Sequence, residues 1–302
     1  MPKVIVVVGP TAIGKTSLSV ELAKRFNGEI INGDSIQVYK GLNIGSAKAT
    51  EDEKQGIIHH LLDYKEVTDR YDVATFQKDA RKKIKEISEK GKTVIIAGGT
   101  GLYIKALLYD YEFVKSGINI DEIKYNDFSN EQLHQKLKEL DKKSADAIHP
   151  NNRKRIIRAL AMAESGISKS EQEEKQEGIM IYDAKIIGLT MDRGRLKERI
   201  NLRVDEMIRE GLLEETDRLF SKYPLKSQGF TGIGYKELIP YYLKQESLEK
   251  CVEKIKAHTR QFAKRQYTWF NNQMIVDWYN IEEEGCFERI YKEVEEFLNV
   301  QQ

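Results

Sequence analysis

Eight residues near the N-terminus, Gly9-Pro10-Thr11-Ala12-Ile13-Gly14-Lys15-Thr16, fit G-x-x-x-x-G-K-[ST] at every constrained position. Glycines at the two fixed positions let the backbone curl so that its amides point inward at oxyanions. The following helix start adds positive potential, Lys15 adds a full charge, and the Thr16 hydroxyl is suited to ligating Mg2+. Such a loop grips a di- or triphosphate. Two further polar sets, Asn32-Gly33-Asp34-Ser35-Ile36-Gln37 and Gly98-Gly99-Thr100-Gly101, each follow a short apolar run. Phosphoryl transfer usually wants an acid on Mg2+ at the end of a buried strand. The run at 94–97 leads into Gly98-Gly99-Thr100 with no acid, whereas the run at 29–32 leads to Asp34. Asp34 then reads as the magnesium partner of a small-molecule kinase, as a base in different chemistry, or as a residue that merely stabilises a turn.

These groups meet only if the strands before them end at one level. Runs at 4–8, 29–32 and 94–97 have the continuous apolar character of buried strands, and a fourth lies at 185–189. Helical periodicity begins at Gly14, fills 72–90 with Val73, Phe76, Ala80, Ile84 and Ile87 on one face, and resumes at Gly101–Leu108. Strands alternating with helices predict an α/β fold: a P-loop-type parallel sheet covered on both faces, with ligands at the carboxyl ends of the strands. Within 113–179 no buried strand is expected, and helical patterns at 131–140 and 152–163 mark a helical insertion. The core is then 1–112 together with 180–302, the latter carrying long charged helices at 193–209 and 248–270.

Further segments extend the pattern. They are Ile44-Gly45-Ser46-Ala47-Lys48, His59-His60-Leu61-Leu62-Asp63, the run from His149 to Leu160, 193–199, Gly232-Ile233-Gly234-Tyr235-Lys236-Glu237 and the run from Thr259 to Gln266. With the P-loop, the Asp34 segment and Gly98-Gly99-Thr100-Gly101-Leu102-Tyr103, this series resembles the tRNA dimethylallyltransferase (isopentenyltransferase) family across nearly the whole chain and in the same order. The resemblance implies that the P-loop holds a prenyl pyrophosphate with Mg2+ on Thr16. It also implies that Asp34 is the base for an adenine amine, that Thr100 lines the same pocket, and that Arg193 supplies a further cation to the leaving pyrophosphate. The implied reaction moves a dimethylallyl group to N6 of the adenosine 3′-adjacent to the anticodon. Asp34, Ser35, Ile36, Gln37 and Thr100 would then face tRNA.

Two segments are locally basic. One carries Arg153, Lys154, Arg155 and Arg158. The other carries Arg260, Lys264 and Arg265, with Phe262, Tyr267, Trp269 and Phe270 interleaved. Basic residues hold phosphates while aromatics stack on unpaired bases. The same pattern also fits amphipathic helices whose aromatics face the core. Arg153, Arg155, Arg158, Arg260, Lys264 and Arg265 are the candidate contacts to a tRNA anticodon stem-loop, the insertion contributing the first three.

Composition narrows the field without choosing within it. The 302 residues carry a net charge of +1, so any RNA site has to be a local patch. No apolar run reaches bilayer-spanning length, and the first residues lack a secretory pattern. Cys251 and Cys286 form no metal or disulfide framework, which points to a reducing, cytoplasmic setting. Nothing in the pattern calls for an extended apolar interface, and a monomer is expected. Two other readings stand beside the prenyltransferase: a P-loop small-molecule or nucleoside kinase, and a non-catalytic RNA-binding protein with a degenerate P-loop. The intact Lys15-Thr16 pair with Asp34 disfavours the latter.

Overall fold

The computed structural model describes residues 2–111, 113, 122–166 and 178–300. Residue 112, where the expected core boundary falls, lies outside them. The chain forms two compact units, one comprising Met1–Tyr109 with Met180–Gln302 and the other Asp110–Ile179.

In the larger unit, β1 (Lys3–Val8) leads through the P-loop into α1 (Lys15–Arg25) and β2 (Gly28–Asn32). After α2 (Glu51–Lys54) and the two-residue β3 (His59–His60) come α3 (Val73–Glu89), β4 (Thr93–Ala97) and α4 (Gly101–Leu108). All strand pairs in the six-stranded sheet are parallel, in the order β3-β2-β4-β1-β5-β6, where β5 is Asp183–Thr190 and β6 is Asp277–Asn280. The α/β expectation is met. Neither β3 nor β6 was anticipated from periodicity, which read His59-His60 only as part of a motif and the C-terminal third as helical.

The Val-rich run of β1 forms a strand buried on both faces because alternate side chains enter two different clusters. Val4, Val6 and Val8 pack on one face with Phe76, Ala80 and Ile84 of α3 and with Ile104 and Leu107 of α4. Ile5 and Val7 pack on the other face with Leu18, Val20 and Leu22 of α1. Each fully buried side chain of this size contributes roughly 1.5–3 kcal/mol. Helices leaving the neighbouring strands β1 and β4 therefore cover opposite faces, and the crevice between their carboxyl ends is the place where open α/β sheets bind ligands. Asp72 caps α3 by accepting from the Thr75 amide at 2.9 Å, which fixes that helix's start.

The second unit contains α5 (Asn130–Leu140), α6 (Lys142–Ala147) and α7 (Arg153–Glu164), and no strand among its described residues. Leu133, Leu137, Ile156 and Leu160 form its core. Back in the larger unit, β5 is followed by α8 (Arg193–Arg209), α9 (Leu212–Lys222), α10 (Ile239–Tyr242), α11 (Leu248–Gln273), β6 and α12 (Cys286–Asn299). Both cysteines are free and buried, Cys251 in the cluster on one face of the sheet and Cys286 in the cluster on the other.

Candidate active site

The P-loop leaves β1 at Val8 and turns into α1 through Gly14, whose φ of 103° suits glycine and few other residues. Lys15 Nζ folds back to donate to the Pro10 carbonyl oxygen at 2.7 Å. Burial lowers the Lys15 ammonium from the usual 10.5 to about 8; the Asp34 charge opposes that shift and the Arg203 charge adds to it. Part of the Lys15 surface stays accessible, so the loop desolvates the amine without sealing it. Thr16 is half-buried in the first turn of α1. The Thr11 amide is not aimed at a ligand, because it donates to Gln266 Oε1 at 3.0 Å.

Asp34 follows β2 in a turn built largely by its own side chain. Its Oδ1 accepts from the Ile36 amide at 2.8 Å and the Gln37 amide at 3.3 Å. Its own amide donates to Asn32 Oδ1 at 3.2 Å. The turn-stabilising use of Asp34 is thus real, yet it occupies one carboxylate oxygen. Thr100, immediately before α4, makes no capping bond to that helix and instead accepts from the Ser35 amide through Oγ1 at 3.3 Å. The two turns touch closely: Gly33 N donates to the Ala97 carbonyl at 2.8 Å, and a Cβ on Gly98 would lie 2.4 Å from the Gly33 carbonyl oxygen. Only glycine permits that approach.

The loop after Asp34 is fastened from beneath. Glu215 of α9 accepts from the amides of Asn43, Ile44 and Gly45 at 3.1, 2.9 and 3.2 Å and from the Tyr235 hydroxyl at 2.7 Å. Gln37 donates through Nε2 to the carbonyls of Ser46 and Ala47, both at 3.1 Å, so its amide nitrogen is committed to this loop. Ile36 packs beside Gly232.

The remaining predicted residues are dispersed. Arg193 opens α8 and is exposed, with its charge felt by Tyr267, whose hydroxyl donates to Thr190 Oγ1 at 3.1 Å at the end of β5. Arg260 is half-buried and donates to Asn201 Oδ1 at 2.6 Å, while Lys264 and Arg265 are exposed. Phe270 is fully buried and Trp269 packs against the core, so the aromatics of α11 serve chiefly the interior. In the second unit, Arg155 and Arg158 are exposed. Arg153 instead ties its own unit together, donating to the carbonyls of Phe128 at 2.8 Å and Tyr125 at 2.5 Å and to Asn130 Oδ1 at 3.2 Å.

Three residues escaped the sequence reading. Arg203 had a usable signal: Leu196, Ile200 and Val204 are the buried stripe of α8, and position 203 is the i+7 member of that stripe, filled by a half-buried cation beside Lys15. Glu215 gave no local signal and Gln266 figured only as the end of a motif, since their partners lie about 170 and 255 positions away. Among the described residues, no cluster of three or more His, Cys, Asp or Glu is arranged to hold a metal.

A P-loop at the switch point of a parallel sheet, beside the turns that carry Asp34 and Thr100, defines a P-loop α/β core. The model of the IPP transferase family matches residues 37–273. A tRNA dimethylallyltransferase of Enterococcus faecalis is 50% identical, over 99% of this chain and 98% of that one; one of Anoxybacillus flavithermus is 47% identical, over 98% and 96%. Among solved structures, a tRNA isopentenylpyrophosphate transferase of Staphylococcus epidermidis superposes with a TM-score of 0.74 at 44% identity, covering 99% of both chains. A eukaryotic dimethylallyltransferase acting on tRNA gives 0.85 at 28% identity, covering 100% of this chain and 81% of that one. The chain belongs to the IPP transferase family.

Proposed function

We propose that this protein transfers a dimethylallyl group from dimethylallyl pyrophosphate to N6 of the adenosine 3′-adjacent to the anticodon of tRNA, releasing pyrophosphate. The observation that carries the proposal is the pairing of the P-loop with Asp34 and Thr100 across one crevice, with no acid following β4. Family membership over nearly the entire length supports it, and both features disfavour a kinase.

The exocyclic amine attacks the allylic carbon, the carbon–oxygen bond breaks, and its electron pair leaves with the pyrophosphate. Charge accumulates on that leaving group, where the P-loop amides from Gly9, Ala12, Ile13 and Gly14, the Lys15 ammonium and the Arg203 guanidinium stabilise it. Arg193, on the same edge of the sheet, is a further cation for this task. The amine is a weak nucleophile because its lone pair is shared with the ring. Asp34, through the carboxylate oxygen its turn leaves free, accepts the amine's hydrogen bond and finally its proton. Thr100 sets the distance between that carboxylate and the base.

The donor set around Thr16 fits Mg2+ better than a metal caged by protein, since the chain offers one hydroxyl and no acidic cluster, and Mg2+ retains waters and takes phosphate oxygens. When bound, it neutralises charge on the pyrophosphate. A flipped adenosine reaches this crevice past Ser35, Ile36 and Gln37. Arg155, Arg158, Lys264 and Arg265 are exposed and suited to RNA phosphates, whereas Arg153 and Arg260 act through the elements they brace. We place the enzyme in the cytoplasm with its tRNA substrate, as a monomer. No helix among the described residues is long and apolar enough to cross a membrane.

Incubating the protein with Mg2+, dimethylallyl pyrophosphate and unmodified tRNA, followed by nucleoside mass analysis, tests the reading. N6-dimethylallyladenosine is the expected product. Transfer of phosphorus instead of the isoprenoid fragment would overturn it.

A further inference from the structure

Gln266 lies in the C-terminal third of α11, 5% exposed, with its side chain between the P-loop and the Gly99 turn. Oε1 accepts from the Thr11 amide at 3.0 Å, and Nε2 donates to the Gly99 carbonyl at 3.0 Å. One primary amide thus bridges the loop that grips the donor to the turn that presents Thr100. The fit is close: a Cβ on Gly99 would come within 2.1 Å of Gln266 Nε2. No other side chain of this length both accepts and donates from one planar end. Glutamate keeps the acceptor and replaces the donor with a second oxygen, which would face the Gly99 carbonyl oxygen. Methionine keeps the length and removes both bonds.

We propose that Gln266 is a positioning residue that sets the separation between the pyrophosphate cradle and the acceptor-binding turn, and hence between the donor carbon and the attacking nitrogen. It touches neither substrate. Its effect is on alignment, where a displacement of about 1 Å costs roughly 100-fold in rate. The inference rests on the prenyltransferase reading given above.

The test compares wild type, Gln266→Glu and Gln266→Met with dimethylallyl pyrophosphate, Mg2+ and tRNA across a pH series, with a thermal melt of each. Both variants should keep KM for each substrate within about threefold and lose about 10- to 100-fold in kcat. The ratio of Gln266→Glu to wild-type kcat should rise as pH falls, because a protonated glutamate again donates to Gly99 and accepts from Thr11. The Gln266→Met ratio should stay flat. Wild-type kcat in both variants, a loss confined to KM, a pH-independent Gln266→Glu ratio, or variants that fail to fold would each overturn the positioning role. A wild-type protein that forms no prenylated adenosine would instead overturn the functional reading, so the two failures are separable.

Discussion

Lys15 Nζ donates to the Pro10 carbonyl oxygen at 2.7 Å, so the loop's own backbone holds the cation that its ligand needs. Burial keeps that ammonium near 8. A pyrophosphate stabilises the charged form, so binding takes up a proton whenever Lys15 is neutral beforehand. Affinity for dimethylallyl pyrophosphate should be level below pH 8 and fall by up to about tenfold per pH unit above it. Calorimetric titration at several pH values checks this. The unfolded chain holds the same proton more tightly, so Lys15→Met should raise the melting temperature of the free protein while abolishing turnover.

In the proposed reaction Asp34 divides its turn-building and its proton-accepting duties between separate oxygens. Asn in its place preserves an Oδ1 for the Ile36 and Gln37 amides, so Asp34→Asn should fold and bind pyrophosphate normally. Turnover should drop by about 100- to 10,000-fold, the ordinary worth of a positioned base. Single-turnover prenylation by the variant at the wild-type rate would remove Asp34 from that role.

Arg193 and Arg203 differ in setting, one exposed at the head of α8 and the other half-buried beside Lys15. Arg203→Ala should weaken pyrophosphate binding by about tenfold or more, as expected for loss of a charge-assisted contact of roughly 1.5–3 kcal/mol. Arg193→Ala should slow the single-turnover rate more than it weakens tRNA binding. An unchanged rate with collapsed tRNA affinity would assign Arg193 to RNA instead.

Glu29 is a buried carboxylate at the start of the sheet, 1% exposed, holding Lys92 at 2.8 Å and His60 of β3 at 2.6 Å. Burial alone would raise its carboxyl, but hydrogen bonds from Lys92 and His60, with the Lys90 charge, outweigh that and hold it at about 2 instead of 4.5. A depressed carboxyl stabilises the fold above pH 4.5 and loses that contribution progressively down to about 2. Glu29→Gln should therefore cost on the order of 3 kcal/mol at neutral pH, and the gap to wild type should close as acid is added. Denaturant melts at pH 7, 4 and 3 measure it.

The sheet was legible where strands are buried on both sides. Val4–Val8 cannot be apolar at every position for any other reason in a chain this charged, and β5 carries Ile186, Ile187 and Leu189 for the same purpose. The edge strands were not legible: β3 is only His59 and His60, and β6 reads Asp-Trp-Tyr-Asn, because a strand with one neighbour needs no continuous apolar run. At the site, sequence order exposed groups whose role is set within a few residues, as in the P-loop and the Asp34 turn. The roles of Gln266 and Glu215 stayed hidden, and Arg153 was read as an RNA contact although it braces its own unit, since their partners are chosen by folding. Arg203 was visible in principle as a cation at an apolar-stripe position.

The burial of the two thiols gives the molecule a built-in reporter. Cys251 and Cys286 sit under opposite faces of the same sheet, and burial raises both thiols, so each resists alkylation until its own layer lifts. Pulsed labelling read by peptide mass would then tell which side of the molecule breathes first, with no engineered probe, and whether gripping a pyrophosphate quiets one layer or both.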